Sequence, residues 1–301
     1  MAARNEFAEL IERNTGTDGV FPTAIPRVFL FRSSQPTLPL HALHEPAVCI
    51  IAQGAKQVIL GDAVYEYDRD KYLVVSVDMP IVGQVTEATP EKPYLCLRVD
   101  LDPGLLGQLM MDAGSPPVRQ NSEPGLTLSA VTTELTDAAC RLLRLLSSPG
   151  DIPILAPLAE REILYRLLLG EQGTRLRQIA VAESKVQQIN RAIGWIKQNF
   201  KEPFSIETVA SEARMSPSAL HAHFKAVTTM SPLQYQKQLR LQEARRLILS
   251  KAADAATAGH TVGYDSPSQF SREYARVFGA PPMRDIARMK SMPKEFFALA
   301  V

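Results

Sequence analysis

Two Ser-Pro dipeptides, Ser216-Pro217 and Ser266-Pro267, stand 50 residues apart, and each opens a short amphipathic stretch. Serine accepts a hydrogen bond from the free amides of a helix's first turn, and proline suits the first helical position, where no amide is needed. Ahead of the first pair, Ile206, Val209, Ala210 and Ala213 make one short apolar helix face. Arg214-Met215-Ser216 makes the turn, and Leu220 and Phe224, four apart, share a face of the next helix. The small Ala210 lets the two helices cross closely. Ahead of the second pair, an alanine-rich stretch from 254 leads into Val262-Gly263-Tyr264. Phe270, Tyr274 and Val277/Phe278 then face inward, and Gln269, three residues after Ser266, completes an S-x-x-Q capping box. Both segments, about 204–226 and 254–279, read as helix-turn-helix units. Residues 231–250 between them read as one helix, with Leu233, Leu239, Leu247 and Ile248 on its apolar side. Its expected length, roughly 25–30 Å at about 1.5 Å per residue, is close to the ~34 Å turn of B-DNA. The two second helices are thus spaced to enter successive major grooves.

The charge is distributed to match. Residues 176–301 carry 18 Lys+Arg against 10 Asp+Glu, while residues 1–175 carry 15 against 22. A basic half joined to an acidic one suggests that only the C-terminal half meets a polyanion. Residues 20–102 read as β: short apolar runs recur at roughly ten-residue spacing, separated by turn signals such as Pro36/Pro39, Gly54 and the Gly61-Asp62 hairpin. A sandwich or small barrel follows. Leu128, Val131, Leu135, Ala138, Leu142 and Leu145 then step by three and four, a heptad-like helix stripe that either forms the dimerisation face or packs against the barrel. A second helix is expected from Pro157 to Gly170. The polar segment 176–184 is the expected linker between a first domain, 1–175, and a second, 185–301.

Several function classes are disfavoured. No apolar run approaches the ~18 residues needed to span a bilayer, and the charged N-terminus lacks the apolar core of a signal peptide. Cys49, Cys96 and Cys140 are an odd number without CxxC spacing, which argues against a disulfide framework or zinc site and fits a reducing cytoplasm. There is no G-x-S-x-G, and histidines are scarce. The barrel region holds only His41 and His44, too few for a metal-dependent cupin, and no cysteine follows a proline as alkyl-transfer repair would need. His221 and His223 point about 200° apart on a helix, so they cannot share a metal. No enzyme, metal or cofactor is expected.

The segment VGYDSPSQFSREYARVFGAPPMRD resembles the second helix-turn-helix of the AraC/XylS regulators, in its Gly-aromatic-x-Ser, Ser-x-Phe and Phe-Gly-x-x-Pro elements. The stretch from FRSS (31–34) through HEPAVCIIAQGAKQVILGD to LVVSVDMPIVGQV resembles the cupin-like sensor domain of one AraC subgroup, and PILAPLAEREILYRLLLGEQG continues that match. The resemblance implies an α+β chain of two domains, with a cupin-like β-barrel and linking helices followed by an all-α double helix-turn-helix domain. It implies a cytoplasmic regulator of transcription, activator by type, whose partners are double-stranded DNA, a small effector in the barrel and a second copy of the chain. RNA polymerase is a possible further partner. The DNA-facing positions would be Ser218, His221, Ala222 and Lys225 in the first unit, and Ser268, Gln269, Arg272 and Arg276 in the second. Related regulators often carry a larger polar residue where this chain has Ala222, so base reading should be stronger in the second unit. Arg272 suits bidentate pairing to guanine and Gln269 suits adenine. Arg240, Arg245, Arg246 and Lys251 are phosphate candidates, or partners of Glu243 and Asp254. Strand parity puts His44, Cys49, Gln53, Tyr65, Ser76 and Gln84 forward as effector contacts. The competing reading is a ligand-independent architectural protein whose barrel only dimerises.

Overall fold

The computed structural model of the chain describes residues 2–114, 124–181 and 184–290. Helix α1 (Ala2–Thr15) leads into β1 (Gly19–Pro22), β2 (Val28–Ser33), β3 (Leu40–His44), β4 (Ala47–Gln53) and β5 (Ala55–Leu60). Then come β6 (Ala63–Asp68), β7 (Lys71–Val75), β8 (Met79–Glu87) and β9 (Tyr94–Asp100). Next are α2 (Pro103–Asp112), β10 (Leu126–Ala130), α3 (Thr133–Arg144), α4 (Ile152–Leu169) and α5 (Gly173–Ala180). The rest is helical: α6 (Lys185–Asn199), α7 (Ile206–Glu212), α8 (Pro217–Thr228), α9 (Pro232–Leu249), α10 (Ala255–Thr261), α11 (Pro267–Phe278) and α12 (Pro282–Lys290).

The strands form two antiparallel sheets, one ordered β1-β2-β9-β4-β7-β10 and the other β3-β8-β5-β6. β4 reads AVCIIAQ and is buried on both faces. Such a run needs cover on each side. The second sheet covers one face, and α1 covers the other with Phe7, Leu10 and Ile11. The edge strand β6 instead alternates between its faces. The hairpin expected at Gly61-Asp62 joins β5 to β6, with Gly61 at φ +61°, where glycine avoids the Cβ penalty. The α+β, cupin-like architecture is as expected.

Three sequence expectations about the helices need correction. The six-residue stripe from Leu128 to Leu145 is not one helix, because 126–130 pairs with β7 as strand β10 and α3 begins only at Thr133. Its apolar face is not free to dimerise. Leu135, Ala138 and Leu142 are buried, and α3 packs between α1 and α4. Pro157 lies inside α4 rather than at its start, since the helix begins at Ile152 and Pro153 supplies the N-terminal proline; Gly170 ends it as expected. Most of the supposed linker 176–184 is α5, whose Leu176 and Ile179 are buried. Its polar spacing is that of an amphipathic helix with its apolar side in the core. Helix α4 keeps its outer face open: Ile154, Leu158 and Leu169 are 72%, 60% and 65% exposed. Its inner face is pinned by buried Glu160, which accepts from the Arg27 guanidinium at 2.8–3.1 Å.

The apolar interior does not divide where the chain seems to. One continuous core runs from the barrel through α3–α5 into α6, α7 and α8, ending on Tyr235 and Leu239 of α9. A second, smaller core holds Leu241, Ala244 and Ile248 of α9 with α10–α12. Helix α9 thus serves both cores with successive turns. Leu233, expected on its apolar side, is 41% exposed.

Candidate functional site

Each helix-turn-helix unit is assembled from local signals. Ser216 Oγ accepts from the Ala219 amide at 3.3 Å, and Ser266 Oγ from the Gln269 amide at 3.3 Å. Leu220, Phe224 and Val227 bury one side of α8, and Phe270, Tyr274 and Phe278 bury one side of α11. In the first unit Ala210 is buried at the crossing. The second uses Gly259, where a Cβ would stand 3.0 Å from the Phe270 ring. Arg214 turns the first unit at φ +53°, and Gly263 turns the second at φ +91°, where a Cβ would meet the Lys201 carbonyl at 2.4 Å. Only glycine fits there.

The opposite faces carry the expected DNA-facing residues. Ser218, His221, Ala222 and Lys225 are all exposed on α8. Ser268, Gln269, Arg272 and Arg276 are exposed on α11 in the same way. The capping box expected at Ser266/Gln269 does not close. Gln269 Nε2 turns instead to Glu273 Oε1 at 3.3 Å. The reciprocated box lies at Ser231/Gln234, at the start of α9. Burial pushes the Glu273 carboxyl up, but hydrogen bonds from Lys237, Tyr264 and Gln269 outweigh it and hold it below the usual range. Glu273 is thereby fixed as an anion beside Gln269.

Two of the four phosphate candidates have structural duties. The Arg240 guanidinium donates to the carbonyls of Phe200, Glu202 and Gly263, strapping the end of α6 to the turn of the second unit. Arg245 is buried, pairs with Asp285 at 2.8 Å and stacks 4.4 Å from the Phe278 ring centroid. Their charges are consumed by carbonyls and a carboxylate that sequence order places 23–40 residues away. Arg246 pairs with Glu243 on the surface, Lys251 is exposed, and Asp254 caps α10.

Both units dock on the barrel. The Gly125 amide donates to the Val227 carbonyl at 2.8 Å, and the Tyr235 hydroxyl to the Asp78 carbonyl at 3.0 Å. Lys197 pairs with the Asp78 carboxylate. The second unit makes a lighter contact, in which the His41 ring meets Phe278 edge-on at 4.9 Å. Burial first, then the Arg245 charge, lowers the His41 pKa to about 4, so its ring is uncharged at neutral pH. Beside it a cleft opens between the four-stranded sheet (His41, Ile59, Val82) and the helices, and Arg276 borders that cleft.

Of the effector candidates, His44, Cys49 and Gln84 line a cavity inside the barrel, but Gln53, Tyr65 and Ser76 do not. Gln53 donates to the Pro93 carbonyl, and Ser76 to the Gly125 carbonyl, near the docking point of the first unit. Tyr65 has the right parity, but Tyr67, two residues on, is the tyrosine that reaches the cavity. Parity selects a face of a strand, not the depth along it. Cys96 lines the cavity too, as do Lys56, Tyr94 and Arg98, which the sequence did not single out. The cavity measures about 40 Å³. Among the described residues there is no group of three or more His, Cys, Asp or Glu placed to hold a metal. None of their helices is long and apolar enough to cross a membrane.

Comparison with known proteins agrees in both halves. The family model "AraC-type transcriptional regulator N-terminus" matches residues 24–175, and "Helix-turn-helix domain" matches residues 209–288. The transcriptional activator RhaS of Salmonella schwarzengrund (strain CVM19633) is 29% identical over 149 residues, 48% of this chain and 52% of that one. RhaS of Escherichia coli (strain K12 / DH10B) is 30% identical over 129 residues, 42% and 45% of the two chains. The chain spans about half the length of the relatives it matches. These relatives are regulators rather than enzymes. The fold alone is shared with an apo point variant of ToxT from Vibrio cholerae strain SCE256, at a TM-score of 0.57 and 9% identity over 88% of this chain and 99% of that one. It is shared likewise with wild-type ToxT bound to unsaturated fatty acid, from the same strain, at 0.55 and 10% over 86% and 93%.

Proposed function

From the premise that the chain belongs to the AraC-type transcriptional regulators, we propose that it binds duplex operator DNA through α8 and α11 and activates transcription in response to a small effector in its barrel. The observation that carries the DNA reading is the pair of exposed polar stripes, each backed by its own buried face and held at the two ends of α9. At about 1.5 Å per residue its 18 residues span about 27 Å, near one helical turn of DNA. The second unit reads bases more strongly, because Arg272 offers a two-pronged donor to guanine where the first unit offers Ala222. Gln269 sits beside it, with its amide nitrogen donating to Glu273.

Arg272→Ala is expected to cost about 1–3 kcal/mol of operator binding and relax specificity at one base pair. Quantitative gel shifts with a panel of single-base variants measure both. Unchanged affinity and unchanged sequence preference would remove Arg272 from the reading.

The effector reading rests on the barrel cavity and on its continuity with the first helix-turn-helix through one core. A ligand that shifts the barrel wall therefore moves α8 directly. The ToxT structure holds a fatty acid, but the small cavity here suits a much smaller ligand. The same reading brings a second copy, with the open face of α4 (Ile154, Leu158, Tyr165, Leu169) in the dimerisation role that α3 cannot fill. A monodisperse monomer at micromolar concentration in sedimentation would overturn the dimer. RNA polymerase as a partner and a cytoplasmic location follow from activation.

A further inference from the structure

Five side chains, Tyr67, Tyr94, Cys96, Cys49 and His44, line the barrel cavity. Cys49 Sγ lies 3.7 Å from His44 Nε2, and His44 Nδ1 is 2.7 Å from the Glu45 carbonyl. A carbonyl only accepts, so Nδ1 carries a proton, and Nε2 is the ring nitrogen that faces the thiol. Cys49 and Cys96 sit on the adjacent strands β4 and β9. Cys49 is opposite Arg98 and Cys96 opposite Ile51, so the two cysteines are diagonal neighbours. Both cysteines line the same cavity, and the Cys96 thiol donates to the Leu97 carbonyl at 3.5 Å. Neither thiol is needed for the fold alone, since a small apolar residue would fill either place.

We propose that Cys49 and Cys96 are a peroxide-reactive dithiol, in which Cys49 is the attacking thiol and Cys96 the resolving one. This rests on the reading of the barrel as an effector domain and names the chemistry of that cavity. Three observations support it. His44 is placed to take the Cys49 proton, and Arg98 and Lys56 add positive charge at the cavity wall. The Cys49 thiol is drawn well below its ordinary range, by its hydrogen bond with Cys96 first and by His44 and Arg98 in addition, against burial. The cavity of about 40 Å³ holds a few water-sized molecules, at about 10–15 Å³ or more for each. That size selects hydrogen peroxide over bulkier electrophiles.

The step balances. The Cys49 sulfur attacks one peroxide oxygen, the O–O bond breaks, and the departing hydroxide takes the proton held by His44 and leaves as water. The Cys96 sulfur then attacks the sulfenic sulfur of Cys49. The S–S bond forms, the S–O bond breaks, and the second hydroxide leaves as water with the Cys96 proton. Two thiols are oxidised to one disulfide and one peroxide is reduced to two waters.

Cys140 is an internal control. It is also buried, but it packs against the Ala3 carbonyl, and burial first pushes its pKa up to about 11. The test treats the reduced full-length protein with hydrogen peroxide and follows each thiol by alkylation and mass spectrometry. Wild type is expected to lose about 2 Da, reversibly with a thiol reductant, while Cys140 reacts at least about tenfold more slowly. Cys96→Ser is expected to gain about 16 Da at Cys49 instead, and Cys49→Ser to leave Cys96 reduced. Comparable rates at all three thiols, or Cys140 oxidised ahead of Cys49, would overturn the proposal, and the wild-type measurement does not depend on whether a variant folds. A gel shift with reduced and oxidised protein on operator DNA completes the test. An affinity that changes with oxidation supports the sensor role, and an affinity that does not change defeats it. Reduced protein that fails to bind any operator fragment strikes at the DNA-binding reading and leaves the thiol chemistry standing.

Discussion

Asp285→Ala is expected to destabilise the second helix-turn-helix by about 3–5 kcal/mol while leaving the barrel and first unit folded. Asp285 is fully buried and accepts from Arg245 at 2.8 and 3.2 Å, from the Tyr274 hydroxyl at 2.9 Å and from Arg288 at 2.8 Å. Removing the carboxylate strands the Arg245 charge in a site that is 7% exposed, and leaves the Tyr274 hydroxyl without its partner. An uncompensated buried charge costs more than the pair contributes, which is why the loss is large. The damage stays local because α10–α12 have their own core, joined to the rest through α9 and the light contact of His41 with Phe278. Hydrogen exchange read by mass spectrometry should show faster exchange across residues 255–290 and little change in the barrel. Exchange that rises equally in both halves would show that the two cores unfold together. Asp285→Asn, which keeps an acceptor for Tyr274 but not the charge, should fall between the two.

Phe224→Ala should have the opposite reach. Phe224 is fully buried and meets the Tyr235 ring edge-on at 5.5 Å. Truncation of a buried phenylalanine costs about 3–5 kcal/mol through lost burial and the cavity left behind. Its core is continuous with the barrel, so the cost should appear in the unfolding of barrel and first unit as one body. Trp195, the single tryptophan, lies on α6 against that core and reports it by fluorescence. The urea midpoint read at Trp195 is expected to drop with an unchanged slope. A midpoint within error of wild type would mean that the first unit melts independently of the barrel. Read together, the two variants test whether an effector signal has a stiff path to α8 and a loose one to α11.

Much of the DNA-binding half was legible in the sequence. Three of its helices, α8, α9 and α11, are each declared by a serine cap and a proline at the first position, and α7 and α10 by a serine or aspartate cap. These signals act within a few residues, so a linear reading finds them. The Leu128–Leu145 stripe misled for the same reason in reverse: three-and-four spacing also fits a strand followed by a helix, and only the pairing of 126–130 with β7 separates the two. Arg240 and Arg245 read as phosphate candidates or partners of Glu243 and Asp254 because their actual partners, the Gly263 carbonyl and Asp285, come 23 and 40 residues later. For Cys49 and Cys96 the sequence left sensing of an oxidant and buried packing both open, because the meaning of a strand cysteine depends on what the neighbouring strand brings beside it.

The feature most visible in the chain, the two Ser-Pro starts 50 residues apart, by itself determined two helix-turn-helix units on one connecting helix, since caps and helical periodicity are local physics. The tertiary structure alone decided that the units are unequally anchored. The first shares one apolar core with the barrel, and the second keeps a core of its own around a buried ion pair. Burial is settled by which faces meet across long sequence separations, and no local pattern encodes that choice.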